Sequence, residues 1–351
     1  MGKYNICFID MERRVNGVTT FKSQLMEIFR NCQGFNFIII SASSVFDIGI
    51  ETYDYLKSLD RLVILSNSWP ASPFIENIRQ AIPNCRIIQI VHDLPWLTIF
   101  AGNLEAFLIS FNSGFPNFDE RMKKFLYYST LDCIKTFKLC DNIVCLCEDT
   151  VKVINECYDV PLSKINMIRN GLIEFKSPCG YKYQEIFNKD FFNILFIGRQ
   201  TYSKGWDRVI ELGNLIKEND YPMRIITVGS NMKYEMNPQD HSDYIITLGE
   251  LTREDIHSVM LESDAVFIPS RHEQCSYVGI EAMMHSKEIF TYGGYGLDNM
   301  FSNENAHIIT DLGQIGPNVE PLGYKARKIY ESLYCFEKMQ QSYIDLILLL
   351  F

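Results

Sequence analysis

Short apolar runs alternate with longer amphipathic stretches from one end of this chain to the other. Mostly apolar runs at 4–9, 35–40, 62–65, 86–91, 142–146 and 165–168 have the length and β-branched content of strands buried on both faces. Between them, a helix runs to about residue 31, another occupies 73–81, one or two cover 118–140, and one spans 151–158. The stretch 176–189, with Ser-Pro-Cys-Gly-Tyr-Lys-Tyr, breaks the rhythm. A second series then follows, with strands at 192–197, 223–228, 245–248, 265–268 and 288–292, and helices at 206–218, 252–262 and 281–285. Residues 324–350 read as mostly helix. Strand and helix alternating at this spacing predict an α/β chain of two Rossmann-like, doubly wound domains facing a cleft. The expected division is 1–175, a linker at 176–191, a second domain at 192–323, and a helical segment at 324–351 packing back towards the first domain. A length of 351 residues agrees with two cores rather than one.

Composition narrows the possibilities. Residues 1–175 carry 17 basic and 19 acidic side chains, a balance of −2; the remainder carries 16 and 24, a balance of −8. An acidic second half argues against nucleic-acid binding. In the first half, Arg121, Lys123, Lys124, Lys135 and Lys138 interleave with Phe125, Leu126, Tyr127, Tyr128 and Phe137. That mixture fits either an interfacial helix at 121–138 touching a membrane or a plain solvated face. No leader is read at the N-terminus, and no apolar run reaches the ~20 residues of a membrane span. The Ile-Leu-Leu-Leu-Phe ending is read as a packed helix end. The expected location is therefore cytoplasmic, including the inner face of the membrane. Eleven Cys without metal or disulfide spacing are expected to be reduced and buried.

Candidate chemistry clusters where strands end. Ligands of open α/β sheets bind beyond the strand C-termini, and the loops after Ile9, Val91, Ile197, Leu248 and Ile268 all lie there. After Ile197 come Gly198-Arg199 and then Ser-Lys204-Gly205, cations suited to a phosphate. Glu273-Gln-Cys-Ser-Tyr277-Val278-Gly279-Ile-Glu281-Ala-Met places two carboxylates around a turn. A helix beginning beside Val278 and Gly279 offers backbone N–H groups to the same anion, with Glu281 opening the Ala-Met-Met run. Carboxylates beside an anion site suit hydroxyl groups. Together these features imply a sugar nucleotide, its diphosphate on cations and N–H groups and its hydroxyls on carboxylates.

Gly-Arg…Ser-Lys-Gly, Gly-Glu-Leu-Thr-Arg-Glu-Asp-Ile and Glu-x7-Glu-Ala-Met, in that order, resemble the donor domain of family-4 glycosyltransferases, retaining enzymes of the GT-B fold. The likeness covers about 193–310; Asn16-Gly17-Val-Thr-Thr, His92-Asp93 and Arg169-Asn170-Gly171 extend it more loosely. The first loop has one Gly where two adjacent are common, and Gln274 follows Glu273 where a small residue is usual. The resemblance implies that Arg199 and Lys204 bind the donor diphosphate, with Gly198 ahead of them. Glu281 would hold ribose hydroxyls, and Glu273 the donor sugar. Backbone at Tyr277, Val278 and Gly279 would meet phosphate. Gly249 and Leu251 would lie along the base, Gly17 would let the first loop approach, and His92 would face the sugar. His92 also reads as a core or capping histidine, and Arg169-Asn170-Gly171 as plain turn chemistry.

The implied activity is metal-independent transfer of a hexosyl-type sugar, with retention, from a UDP- or GDP-type donor to a glycan, lipid-linked or protein acceptor, as in surface polysaccharide synthesis. No further cofactor is expected. The chain has no Asp-x-Asp to clamp a metal diphosphate. Alternatives are a sugar-nucleotide epimerase or a non-catalytic nucleotide-sugar-binding partner of another transferase. A dinucleotide oxidoreductase is disfavoured because no Gly-x-Gly-x-x-Gly follows the first strand.

Overall fold

The computed structural model describes residues 3–10, 17–41, 49–67, 72–175, 183, 185–187, 189–230 and 244–351. Arg13, Arg14, Asn16, His241 and most of the 176–191 linker lie outside the described residues. The chain divides into two compact units. One comprises Met1–Phe100, Leu104–Gly171 and Phe336–Phe351, the other Ala101–Asn103 and Leu172–Cys335.

The first unit runs β1 (Tyr4–Asp10), α1 (Gly17–Arg30), β2 (Phe35–Ser41), α2 (Ile50–Lys57), β3 (Leu62–Ser66), α3 (Ser72–Ala81), β4 (Arg86–Val91), α4 (Pro95–Ile99), α5 (Leu104–Asn112), α6 (Glu120–Leu139), β5 (Asn142–Cys145), α7 (Glu148–Cys157) and β6 (Ile165–Met167). Its sheet is parallel, ordered β2-β1-β3-β4-β5-β6. The central strands are buried throughout β3 and at five successive positions of β1, which is why they read as mostly apolar runs. The 118–140 stretch is one helix. Asp119 starts it by accepting a hydrogen bond from the Met122 N–H at 2.8 Å. Three helices escaped the pattern reading. α2 is weakly amphipathic, α4 is a five-residue piece opened by Pro95, and α5 (Leu-Glu-Ala-Phe-Leu-Ile-Ser-Phe-Asn) is apolar on most sides.

The second unit runs β7 (Phe192–Ile197), α8 (Trp206–Asn219), β8 (Met223–Val228), β9 (Ile245–Thr247), α9 (Arg253–Glu262), β10 (Ala265–Ile268), α10 (Tyr277–Met284), β11 (Glu288–Thr291), β12 (His307–Ile308) and α11 (Gly323–Ile329). Its sheet is also parallel, ordered β12-β11-β10-β7-β8-β9. Phe196, Trp206, Val209, Leu212, Ile225 and Phe267 seal one face of it. The terminal segment is shared between the units. α11 and the π turn Tyr330–Tyr334 stay with the second, where the Leu172 N–H donates to the Tyr334 carbonyl at 3.1 Å. α12 (Phe336–Leu348) lies with the first, where Tyr343 meets Phe21 at 6.2 Å.

Candidate functional site

In the second sheet the chain winds outward in one direction from β7 through β8 to β9, and in the other from β10 to β12. The reversal falls between β7 and β10. Neighbouring strands whose connections leave in opposite directions open a crevice at their C-terminal ends. Gly198, Arg199 and Lys204 follow β7, and Glu273 follows β10, so both motifs meet at this switch point.

The loop ends are tied by close backbone approaches. The Gly198 N–H donates to the Val228 carbonyl at 2.9 Å, and the Gly229 N–H to the Gly249 carbonyl at 2.8 Å. A Cβ on Gly229, where φ is +137°, would stand 2.2 Å from the Gly198 oxygen, so only glycine fits. Gly249 is left-handed at φ +73° with open space around it. The sequence reading placed Gly198 and Gly249 on separate loops; here Gly229 joins them.

Lys204 ends the turn Tyr202–Lys204, and its Nζ hydrogen-bonds Glu273 Oε1. The Ser270 hydroxyl donates to that same oxygen at 2.9 Å, and the Glu273 N–H donates to the Tyr295 carbonyl at 3.0 Å. The Glu273 side chain retains 17% exposure. Burial alone would raise its pKa, but the charge and hydrogen bond of Lys204, with the Ser270 hydroxyl, hold it below the usual carboxylate range. Cation and carboxylate, assigned from sequence to different parts of a donor, are thus direct partners. Arg199 is exposed, and its side chain makes no hydrogen bond or ion pair among the described residues. Arg271 braces the loop: it donates to both Asp207 oxygens, at 2.8 and 2.6 Å, and lies 3.4 Å over the Tyr202 ring.

α10 begins beside Val278 and Gly279, as the anion-site reading expected, and earlier than the 281–285 span. Ser276 caps it, its hydroxyl accepting from the Gly279 N–H at 3.2 Å, and Tyr277 is the first helical residue. Glu281 therefore sits in the second turn rather than opening the helix, which corrects the sequence reading. The pattern misled because Tyr-Val-Gly-Ile carries low helix propensity, and the local cap overrides it. Gly279 is required by packing, since a Cβ there would approach the Phe301 ring to 2.7 Å. Glu281 is 7% exposed, and its side chain has no hydrogen-bond partner among the described residues. Burial pushes its pKa up to about 7, against the pull of the Arg253 charge. The Nε of Arg253 is itself buried without a partner among the described residues. Leu251 is half-buried just before α9, the helix that Arg253 opens.

His92 and Gly17 belong to the first unit. His92 directly follows β4, packs edge-on against Phe21 at 4.4 Å, and has a buried Nε2 with no partner among the described residues. Burial lowers its pKa to about 4, so the ring is neutral at pH 7. The Asp93 carboxylate accepts from the Leu94 N–H at 2.8 Å, as a loop support would. Gly17 is the first residue of α1.

Sequence reading missed Ser270, Gly229, Gly296 and Arg253. Ser270 lies three residues before Glu273, and Arg253 lies inside the Gly-Glu-Leu-Thr-Arg motif, but residue type alone marked neither. A Cβ on Gly296, at φ +71°, would stand 1.7 Å from the Glu273 carbonyl oxygen. Among the described residues no group of three or more His, Cys, Asp or Glu side chains is arranged to hold a metal ion.

Two units, each a parallel six-stranded sheet with helices, make this a GT-B fold. Residues 181–315 match the family described as Glycosyl transferases group 1. The chain is 23% identical over 34% of its length to a 2-deoxystreptamine glucosyltransferase of Streptomyces kanamyceticus. It is 21% identical over 50% of its length to an uncharacterized glycosyltransferase of Methanocaldococcus jannaschii. The matched regions span 32% and 47% of those two proteins. Among solved structures, Anabaena Alr3699/HepE in complex with UDP and glucose superposes with a TM-score of 0.74 at 12% identity, over 98% of this chain and 99% of that one. Sucrose-phosphate synthase from Thermosynechococcus elongatus gives 0.76 at 15% identity, over 99% of both chains.

Proposed function

We propose that the chain is a retaining glycosyltransferase that moves a hexosyl-type sugar from a UDP- or GDP-linked donor to an acceptor hydroxyl on a glycan, lipid-linked saccharide or protein. The observation that carries this reading is the meeting of Lys204, Glu273 and the Gly198-Arg199 turn at the switch point of the second sheet. The group 1 match over that unit, and a fold neighbour crystallised with UDP and glucose, support it.

In this mechanism Arg199 and Lys204 neutralise charge developing on the departing diphosphate, helped by the N-terminal N–H groups of α10. Lys204 is shared between Glu273 and the phosphate. Glu273 accepts hydrogen bonds from hydroxyls of the donor sugar, and Glu281 accepts from the ribose. Gly249 and Leu251 line the base. Gly17 and His92 are assigned to the donor by the resemblance alone, His92 as a neutral hydrogen-bonding ring. The bond from the anomeric carbon to the phosphate oxygen breaks as the bond to the acceptor oxygen forms on the same face. The acceptor proton passes to the departing phosphate. The Arg/Lys pair replaces a metal clamp, so the reaction is metal-independent. The enzyme works in the cytoplasm at the membrane's inner face, on surface glycoconjugates, with 121–138 touching the bilayer. Nucleotide release from a panel of donors, with and without EDTA, tests the reading. Release from one donor, unchanged by EDTA, is expected; release that needs an added divalent ion refutes the metal-independent mechanism.

A further inference from the structure

The first unit carries a recess lined by none of the candidate site residues. It is a groove of about 540 Å³ between α5 and α6, within the size range of ligand pockets. Phe111 and Phe115 line one wall; Tyr127, Tyr128 and Leu131 line the other, with Lys123 and Lys124 also in the lining. A stacked aromatic base lies under the first wall. Trp96 and Phe107 are parallel at 4.2 Å, Phe107 meets Phe111 at 5.6 Å, and Phe111 meets Phe115 at 6.2 Å. Phe115 holds its place at φ +57°, directly after Gly114 at +71°. A bulky residue in the left-handed region is strained. The Phe115 N–H hydrogen bond to the Ser110 carbonyl, at 2.7 Å, helps to fix it there.

The α6 wall of the groove itself reaches solvent. Tyr127 is 59% exposed, Tyr128 65% and Leu131 44%. Single exposed apolar residues mean little, but a contiguous set beside a recess marks an interaction surface. Cations frame it. Arg121, Lys124, Lys135 and Lys138 are exposed along α6, and Lys124 makes no ion pair among the described residues. Lys123 pairs with the exposed Glu120 at 3.0 Å and Lys135 with Glu76 at 2.7 Å, surface contacts of small worth. The acids on these elements are Glu105, Asp119 and Glu120 at helix starts and Asp132 within α6, which accepts from the Ser72 N–H at 3.3 Å. This basic, aromatic patch stands out in a chain of net charge −10.

We infer that the groove binds an anionic bilayer lipid, its phosphate between Lys123 and Lys124 and the first part of its hydrocarbon chain against Phe111, Phe115, Tyr128 and Leu131. Tyrosines at the rim suit the headgroup layer, and lysines add attraction to an anionic surface. This deepens the membrane-contact part of the proposed function and rests on that reading for its consequence: the acceptor reaches the enzyme from the membrane plane.

The test is flotation of the full chain with vesicles of phosphatidylcholine alone or mixed with phosphatidylglycerol, alongside donor-dependent nucleotide release in solution. Binding to the anionic vesicles only, weakening as salt rises, is expected. Lys123→Glu with Lys124→Glu, or Tyr128→Ser with Leu131→Ser, lowers that partition about 10-fold or more. Neither pair changes the unfolding midpoint or nucleotide release, since every one of these side chains is partly or largely exposed. A wild type that releases nucleotide yet does not float overturns the lipid groove and leaves the transferase reading standing. One that floats, with both variants impaired, but releases nothing supports the groove and overturns the transferase. Variants that float like the wild type overturn the groove. A dimer dissolved by the same substitutions, without flotation, overturns the lipid and assigns the face to a second copy.

Discussion

Replacing Glu281 by Gln gives a pH-dependent gain in stability whose size follows from burial. The carboxyl is 7% exposed and lacks a hydrogen-bond partner among the described residues. Its pKa stands at about 7 in the folded chain against an ordinary 4.5. The folded state therefore holds this proton more tightly than the unfolded chain. Below pH 4.5 both states are protonated and the group contributes no pH dependence. Between 4.5 and about 7 stability falls as pH rises, and above 7 the full penalty is present. At about 1.36 kcal/mol per pH unit the penalty is about 3 kcal/mol. Gln keeps the shape and removes the charge. The variant should match the wild type near pH 4 and exceed it by about 3 kcal/mol at pH 8. Denaturant unfolding followed by Trp206, buried in the core of the second unit, reads this once Trp69 and Trp96 are changed to Phe in both proteins. Other titrating groups cancel in the difference. A gap that stays constant with pH, or a variant less stable at pH 8, would refute the reasoning.

Four further outcomes follow from the same geometry. Nucleotide diphosphate affinity, measured by calorimetry, should rise with pH through about 7 in the wild type, because ribose hydroxyls bond the ionised form of Glu281; in the Gln variant that part of the slope disappears. Lys204→Ala should lower turnover by about 100-fold or more while the second unit stays folded, as circular dichroism and nucleotide-release assays would show. Gly296→Ala should destabilise by about 2 kcal/mol or more, because its Cβ would stand 1.7 Å from the Glu273 carbonyl; thermal unfolding measures it. His92 titrates at about 4, so the wild-type and His92→Gln pH–rate profiles should show no difference in inflection near pH 6.5.

The strands were legible because parallel sheets buried on both faces leave mostly apolar runs, as β4 shows with Ile87, Ile88, Ile90 and Val91 around a single Gln89. α5 and the short α4 were not, since helices packed among aromatics lose the polar face that marks a period. The motif cations and carboxylates were legible as residue types at strand ends. Their pairing was not: Lys204 and Glu273 lie 69 positions apart and meet only because β7 and β10 are neighbours. The start of α10 was misread for a local reason, the Ser276 cap, whose strength lies in geometry rather than composition. Gly229 and Gly296 carry their role in backbone approaches of 2.2 and 1.7 Å, distances invisible before the chain is folded.

The central claim, a metal-independent sugar-nucleotide site built on Lys204, Glu273 and Glu281, is tested most directly by nucleotide release from a panel of sugar nucleotides in the presence of EDTA. The account predicts release from one donor, insensitive to EDTA and lost in Glu273→Ala and Glu281→Ala. Release from none of the donors, together with no thermal shift by any nucleotide diphosphate, would contradict it.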